Sequence, residues 1–223
     1  MGHPGDTPAD LPPPRPRAIG YVPIRSLSAR HRPRILAHLL ALDGSDRYLR
    51  FGYAAADDQV ERYVEHIDFE RDEAFGVFNR RLELVALAHL AYEPDHEGPP
   101  PGRPRAAEFG VSVAVRGRGR GYGTRLFDHA VLRARNRGVE TLVIHALTEN
   151  AAMLKIVRNA GARIENLGSD AEAWLRLPPE SAHSHVEALV EQRVGELDYQ
   201  FKQGAHLGTE ADARPQGEHP LAP

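Results

Sequence analysis

The densest chemical signal in the sequence is a run of nine residues, Arg116-Gly117-Arg118-Gly119-Arg120-Gly121-Tyr122-Gly123-Thr124. Its glycines let the backbone bring several N–H groups close to one ligand. A helix starting directly after them adds its own unpaired donors. Such a turn suits an anion, phosphate above all. The local charge agrees: residues 116–138 hold seven arginines and a single acid, Asp128, in a chain whose net charge is −3. Neither G-x-x-x-x-G-K-[ST] nor G-x-G-x-x-G is matched, the latter because Thr124 stands where the third glycine would be. Arginine-glycine tails that bind RNA are long, repetitive and disordered. This run is short and wedged between regular patterns, and the whole chain is net acidic, so no nucleic-acid partner is expected.

Four side chains on or beside apolar strand patterns could take a proton: His89, Glu108, His145 and Glu149. Each has a plainer use. A strand histidine is commonly a hydrogen-bonded core residue, Glu108 could be a strand-end carboxylate facing solvent, and Glu149 could favour a helix start through the dipole. Asn150 has two donors and an acceptor. It could hold a ligand or simply cap the helix after it. With no cysteine, a disulfide framework, a thiolate zinc site and a cysteine nucleophile are excluded, and no metal is expected.

These residues need elements to hold them. Tyr21–Arg25 reads as a strand. Ser28 then caps a helix carrying Ile35, Leu36, Leu39, Leu40 and Leu42, stopped by Asp43-Gly44. A second helix begins near Asp57. Ala74–Asn79 and Leu82–Tyr92 are adjacent strands, and Glu93–Ala107, with five prolines, is a loop. Phe109–Val115 is a strand leading into the arginine-glycine turn and a helix over 121–136. Thr141–Leu147 has the apolar run of a parallel strand. Asn150 to Gly161 is a short helix, and strands near 162–166 and 171–177 follow. The 223 residues are therefore divided into a proline-rich disordered leader (1–18), one mixed α/β domain (19–178), and an amphipathic helix with an acidic tail (179–223). The helix carries Val190, Val194, Leu197 and Phe201 on one stripe, which could pad the domain or pair two copies as a homodimer. No apolar stretch approaches the ~20 residues that span a bilayer, and no secretory signal is visible. A cytoplasmic protein without a membrane partner is expected.

Arg118-Gly119-Arg120-Gly121-Tyr122-Gly123 matches [RQ]-x-x-G-x-[GA], and here the sequence resembles the GNAT N-acetyltransferase superfamily. The resemblance runs from Tyr21 to Leu177 and includes Val113 five residues before Arg118, Asn150, and the turn Asn159-Ala160-Gly161. It implies a mixed sheet of six to seven strands flanked by about four helices, with acetyl-CoA as co-substrate. It also implies that the cofactor is held by Val111 and Val113 on a splayed strand, by Arg118, Gly119, Arg120, Gly121, Tyr122, Gly123 and Thr124 of the loop, and by Asn150. Within the superfamily, Ser45-Asp46-Arg47-Tyr48-Leu49-Arg50-Phe51, Ala107-Glu108-Phe109-Gly110-Val111-Ser112-Val113 and Glu149-Asn150-Ala151-Ala152-Met153 look like segments of the Pat-type protein lysine acetyltransferases.

That likeness singles out Glu108 as general base, raised toward neutral pH by burial. The acceptor would be an amine, on a protein lysine or a small molecule, and transfer would be direct in a ternary complex. The tyrosine that often serves the superfamily as general acid is replaced by Val157, and no substitute stands out. A CoA-binding sensor or interaction module without turnover is the alternative; it would have no use for a carboxylate beside the thioester.

Overall fold

In the computed structural model, residues 22–93, 105–179, 195–196, 198–200 and 202–203 are described. Apolar alternation in the middle of the chain builds a seven-stranded sheet. Strand β1 (Arg25–Leu27), β2 (Glu73–Phe78), β3 (Leu84–Tyr92) and β4 (Ala106–Val113) form an antiparallel meander. Strand β5 (Thr141–Leu147) runs parallel to β4, as its apolar sequence predicts, and then pairs antiparallel with β7 (Asp170–Arg176). Strand β6 (Arg163–Leu167) closes the far edge, giving the order β1-β2-β3-β4-β5-β7-β6.

Both faces of the central strands are covered, which is why β3 is buried almost residue for residue. On one face lie α4 (Tyr122–Asn136) and α5 (Ala151–Asn159), packing Leu126, Phe127 and Val157 onto Phe75, Phe109, Leu142 and Ile144. Phe109 and Phe127 meet edge to face at 5.2 Å. On the other face lie α1 (Arg32–Leu40) and α3 (Asp57–Glu65), where Ile35, Leu39, Val60 and Val64 cover Leu84 and Leu87.

Several expectations move. The first strand sits at Arg25–Leu27, two residues into the sequence that follows Pro23, whose missing N–H cannot enter a ladder. Ser28 opens a single 3₁₀ turn, Ala29–His31, and α1 starts after it with Pro33 in its first turn. Asp43-Gly44 does not simply end a helix; it starts another. The Asp43 carboxylate accepts from the Asp46 N–H at 2.8 Å and caps α2 (Gly44–Phe51), a fifth helix where four were expected.

The stripe of Val190, Val194, Leu197 and Phe201 lies outside the described residues, as do 1–21 and 94–104. The described C-terminal residues are helical and dock on their own domain. Tyr199 is 8% exposed. Its ring stacks edge to face on Phe78 at 5.0 Å, lies 3.5 Å from the Arg25 guanidinium, and its hydroxyl accepts from Arg34 Nη1 at 2.8 Å. Lys202 Nζ donates to the Phe78 carbonyl at 2.9 Å. Removing a buried aromatic ring leaves a cavity, so Tyr199→Ala should destabilise the domain by about 3 kcal/mol. Urea unfolding would show this as a lower midpoint at unchanged slope; an unchanged midpoint would mean that the segment contributes nothing to the fold.

Candidate active site

Strands β4 and β5 pair only from Ala106↔Thr141 to Glu108↔Val143, although β4 continues to Val113 and β5 to Leu147. Beyond Glu108 they diverge. Two bonds define the alternation along β4: the Arg105 carbonyl accepts from the Thr141 N–H on the β5 side at 3.1 Å, and the Ala114 N–H donates to Val85 beside β3 at 2.9 Å. Odd-numbered backbone groups therefore face β5, and the N–H groups of Val111 and Val113 point into the opened gap. An N–H turned away from both sheet and water needs a partner. A cleft of about 620 Å³ runs through this gap, bounded by β4, α2, α4 and α5.

The arginine-glycine loop closes one end. Gly119 and Gly121 adopt φ of +72° and +75°, a left-handed backbone that carries the chain into α4 and disfavours any side chain. The first bond within α4 is from the Arg125 N–H to the Gly121 carbonyl at 3.0 Å. The N–H groups of Tyr122, Gly123 and Thr124 precede it and stay available at the positive end of a 15-residue helix. Arg118 is bonded to Asp46 of α2 across the cleft, and the other Asp46 oxygen, Oδ2, is buried without a partner among the described residues. Arg120, expected with the rest, is exposed and does not line the cleft. Lys155 of α5 does line it and was not anticipated; it follows the cap by five residues on the face that meets the loop.

Asn150 caps the helix that follows it. Its Oδ1 accepts from the Met153 N–H at 3.1 Å, capping α5, while its Nδ2 makes a long 3.5 Å contact with the Leu49 carbonyl of α2. It lines this cleft and a second cavity of about 330 Å³. The two cavities share Leu49, Arg50, Val111, Asn150 and Met153, so they meet where β4 and β5 part.

Glu108, His145, Asp170 and Glu172 line the second cavity. Glu108 is solvent-exposed, so the burial expected to tune it is absent: its side chain leaves the sheet at the last β4–β5 pair, where the covering stops. His145 is exposed as well, and Glu149 lines neither cavity. His89 turns inward into a chain. Its Nε2 lies 3.2 Å from Asp72 Oδ2 and its Nδ1 lies 2.8 Å from the Tyr63 hydroxyl, which accepts from Arg50 Nη2 at 2.7 Å. Burial alone would raise the Asp72 carboxyl, but bonds from His89, Arg71 and the Tyr92 N–H outweigh it and hold the group well below the usual carboxylate range. An ionised Asp72 can only accept. Nε2 therefore donates to Asp72, and a neutral ring would accept at Nδ1 from the Tyr63 hydroxyl. Burial pushes the Tyr63 phenol up and keeps it protonated.

His38, which is buried, lies under β4. Its Nδ1 donates to the Leu84 carbonyl at 3.0 Å, so its Nε2 accepts from the Ser112 hydroxyl at 2.9 Å. No feature of the sequence pairs positions 38 and 112.

The acetyltransferase (GNAT) family model matches residues 40–161, more than half of the chain and the whole of the cleft. The chain belongs to the GNAT acetyltransferase family. Membership implies acetyl transfer from acetyl-CoA to an amine. Its fold is similar to the GNAT domain of PAT from S. lividans (21% identity, TM-score 0.56, 69% of this chain and 89% of that one). It is also similar to a ribosomal-protein-alanine N-acetyltransferase from Brucella melitensis (19% identity, TM-score 0.52, 69% and 99%). A third similar structure is an N-acetyltransferase from Staphylococcus aureus (17% identity, TM-score 0.54, 70% and 98%). No curated protein matches the chain. Among the described residues, no group of side chains could hold a metal ion, and no helix is long and apolar enough to cross a membrane.

Gly121 makes the phosphate end of the cleft testable. A valine there is strained by the positive φ and crowds the approach to the loop N–H groups. Gly121→Val should weaken acetyl-CoA binding more than tenfold in calorimetry, since each bond to a charged group is worth about 1.5–3 kcal/mol. Unchanged affinity would remove the loop from the cofactor site. The buried histidines set a pH dependence. Burial, aided for His31 by the charges of Arg25 and Arg30, pushes both His31 and His38 down to about 4. The unfolded chain takes up these protons near pH ~6.5 and the folded one does not, so stability should be complete above that and fall as pH drops toward 4. Urea midpoints across this range should show the decline, and His38→Gln should flatten it.

Proposed function

We propose that the protein is an acetyl-CoA-dependent N-acetyltransferase acting on a cationic amine, a protein lysine in the manner of the Pat-type enzymes, by direct transfer in a ternary complex. The observation that carries this reading is the meeting of two cavities at the divergence of β4 and β5, one with anion-binding backbone and the other with a carboxylate rim. The cofactor diphosphate lies at Arg118, Gly119, Gly121, Tyr122, Gly123 and Thr124, with Arg120 outside. The pantetheine arm lies along Val111 and Val113, and Asn150 stands at the junction. Glu108, Asp170 and Glu172 outnumber the one guanidinium in the second cavity, that of Arg50, which favours an ammonium group arriving from solvent.

Glu108 sits at the last paired position, on the acceptor side. The ammonium loses one proton to Glu108 through a water and attacks the thioester carbon. The N–C bond forms, the C–S bond breaks, the second nitrogen proton leaves with the sulfur as CoA thiol, and Glu108 returns its proton to solvent. Holding both substrates supplies the effective concentration, so no covalent intermediate is needed.

Because Glu108 is exposed, its contribution should fall at the lower end of the general-base range, about 10²-fold. Glu108→Gln should keep acetyl-CoA affinity and lose turnover on that scale. The acceptor class is tested by offering acetyl-CoA with small amines and with lysine-bearing proteins and reading acetylation by mass spectrometry. Acetylation confined to small amines would refute the protein-lysine assignment. Normal turnover of Glu108→Gln beside a loss in His145→Ala would move the base to His145.

A further inference from the structure

Arg50 occupies an unusual position for a charged side chain. It lines both cavities, and its guanidinium lies flat against β4 at Gly110. A Cβ at residue 110 would come within 2.8 Å of the guanidinium carbon and of Nη2, and within 2.9 Å of Nη1. The backbone can accept Arg50 there because position 110 has no side chain. The next peptide N–H along the strand is that of Val111, which points into the β4–β5 gap. Arg50 and Val111 N–H thus flank one point from two sides: the sheet edge and the acceptor face.

The guanidinium is held rather than draped. Nη2 donates to the Tyr63 hydroxyl at 2.7 Å, and the group lies 5.2 Å from the Phe51 ring and 5.3 Å from the Tyr63 ring. Tyr63 is fixed by His89, and His89 by the ionised Asp72. Four segments contribute: Arg50 from α2, Tyr63 from α3, Asp72 from the residue before β2 and His89 from β3. The buried Nε of Arg50 has no partner among the described residues. An unpaired buried N–H calls for an acceptor.

Acyl transfer creates an acceptor at this place. As the N–C bond forms, the carbonyl electron pair moves to oxygen; as the C–S bond breaks, it returns. A cation fixed beforehand beside that oxygen stabilises the charge without reorganising. We propose that Arg50 is a catalytic residue, donating to the acyl oxygen from the acceptor face opposite the Val111 N–H, and that Tyr63, His89 and Asp72 are positioning residues that hold it there. This rests on the acetyltransferase reading above, with the thioester at the junction of the two cavities. It also gives the chain a charged device at the reaction centre, although position 157 carries valine.

The test uses the full chain with an acceptor found in the acetylation screen. Arg50→Gln should lower kcat about 10²–10³-fold, the scale of losing one oxyanion donor, with acetyl-CoA affinity within about twofold of wild type by calorimetry. Gly110→Ala keeps the arginine and its charge but puts a methyl group where the guanidinium lies, so kcat should fall in the same direction. Tyr63→Phe keeps the ring and removes the hydroxyl, and should lower kcat roughly tenfold without moving acetyl-CoA affinity. Added guanidinium should restore part of the activity of Arg50→Ala and none of that of Tyr63→Phe, a pattern that loss of folding would not produce. A kcat for Arg50→Gln within about threefold of wild type overturns the role of Arg50 and leaves acetyl transfer standing. A wild-type protein that binds acetyl-CoA yet acetylates no amine overturns the reaction and this role together.

Discussion

Two parallel strands that stop pairing half-way create a local debt of hydrogen bonds inside an otherwise complete sheet. Beyond the Glu108↔Val143 pair, β4 stays paired with β3 on one side and is no longer paired with β5 on the other. Everything around the site answers this divergence. The gap is the cleft, and its width is set by α4 and α5, which pack on the face that Phe109 and Leu142 still share. Strand β5 does not drift because β7 pairs with it along its full length, from Thr141↔Arg176 to Leu147↔Asp170. A sheet with only β4 to hold β5 would close the gap or lose the strand. The unpaired N–H groups of Val111 and Val113 are tolerable because the cleft gives them water or a ligand.

The parts of this arrangement that were readable in the sequence are those fixed by local chemistry. The glycines at 119 and 121 can adopt a backbone that few other residues can, so the loop announces itself. The apolar run of β5 and the cap at Asn150 are equally local. What could not be read depends on contacts distant in sequence. Helix α2 is short, has no buried residue and is held by Asp43 and by contacts such as Arg47 to the Leu40 carbonyl at 2.7 Å, so no apolar stripe betrays it. Exposure of Glu108 follows from where the strands part, which alternation along one strand does not encode. His89 looked like one of four proton acceptors; its partners Asp72 and Tyr63 lie 17 and 26 residues away.

Charge is arranged differently on the two sides of the junction. The arginine-glycine loop end offers backbone N–H groups and a helix dipole, with arginines at the rim. The second cavity carries carboxylates on β4 and β7, with one guanidinium pinned where it meets the first. Deeper in the fold, His38 spends both ring nitrogens on Leu84 and Ser112 directly beneath β4. Protonating it would force the Ser112 hydroxyl to turn from donor to acceptor, which links the strand that lines the cleft to the titration of His38.

The bond between Arg118 and Asp46 has a consequence for selectivity among anions. Before any ligand arrives, the leading arginine of the loop is already occupied, with Arg118 half exposed and Asp46 nearly covered. A small ion such as inorganic phosphate would have to displace a carboxylate that is tethered in place and present at high local concentration. It gains little beyond the exchange. A longer ligand that also fills the N–H groups opening α4 and lies along β4 gains several contacts for the same displacement. The partial exposure of the pair limits its strength to about 0–1 kcal/mol. That is too weak to bar a ligand engaging the whole cleft, but it is of the right order to discount the abundant small anions that would otherwise compete for a bare arginine.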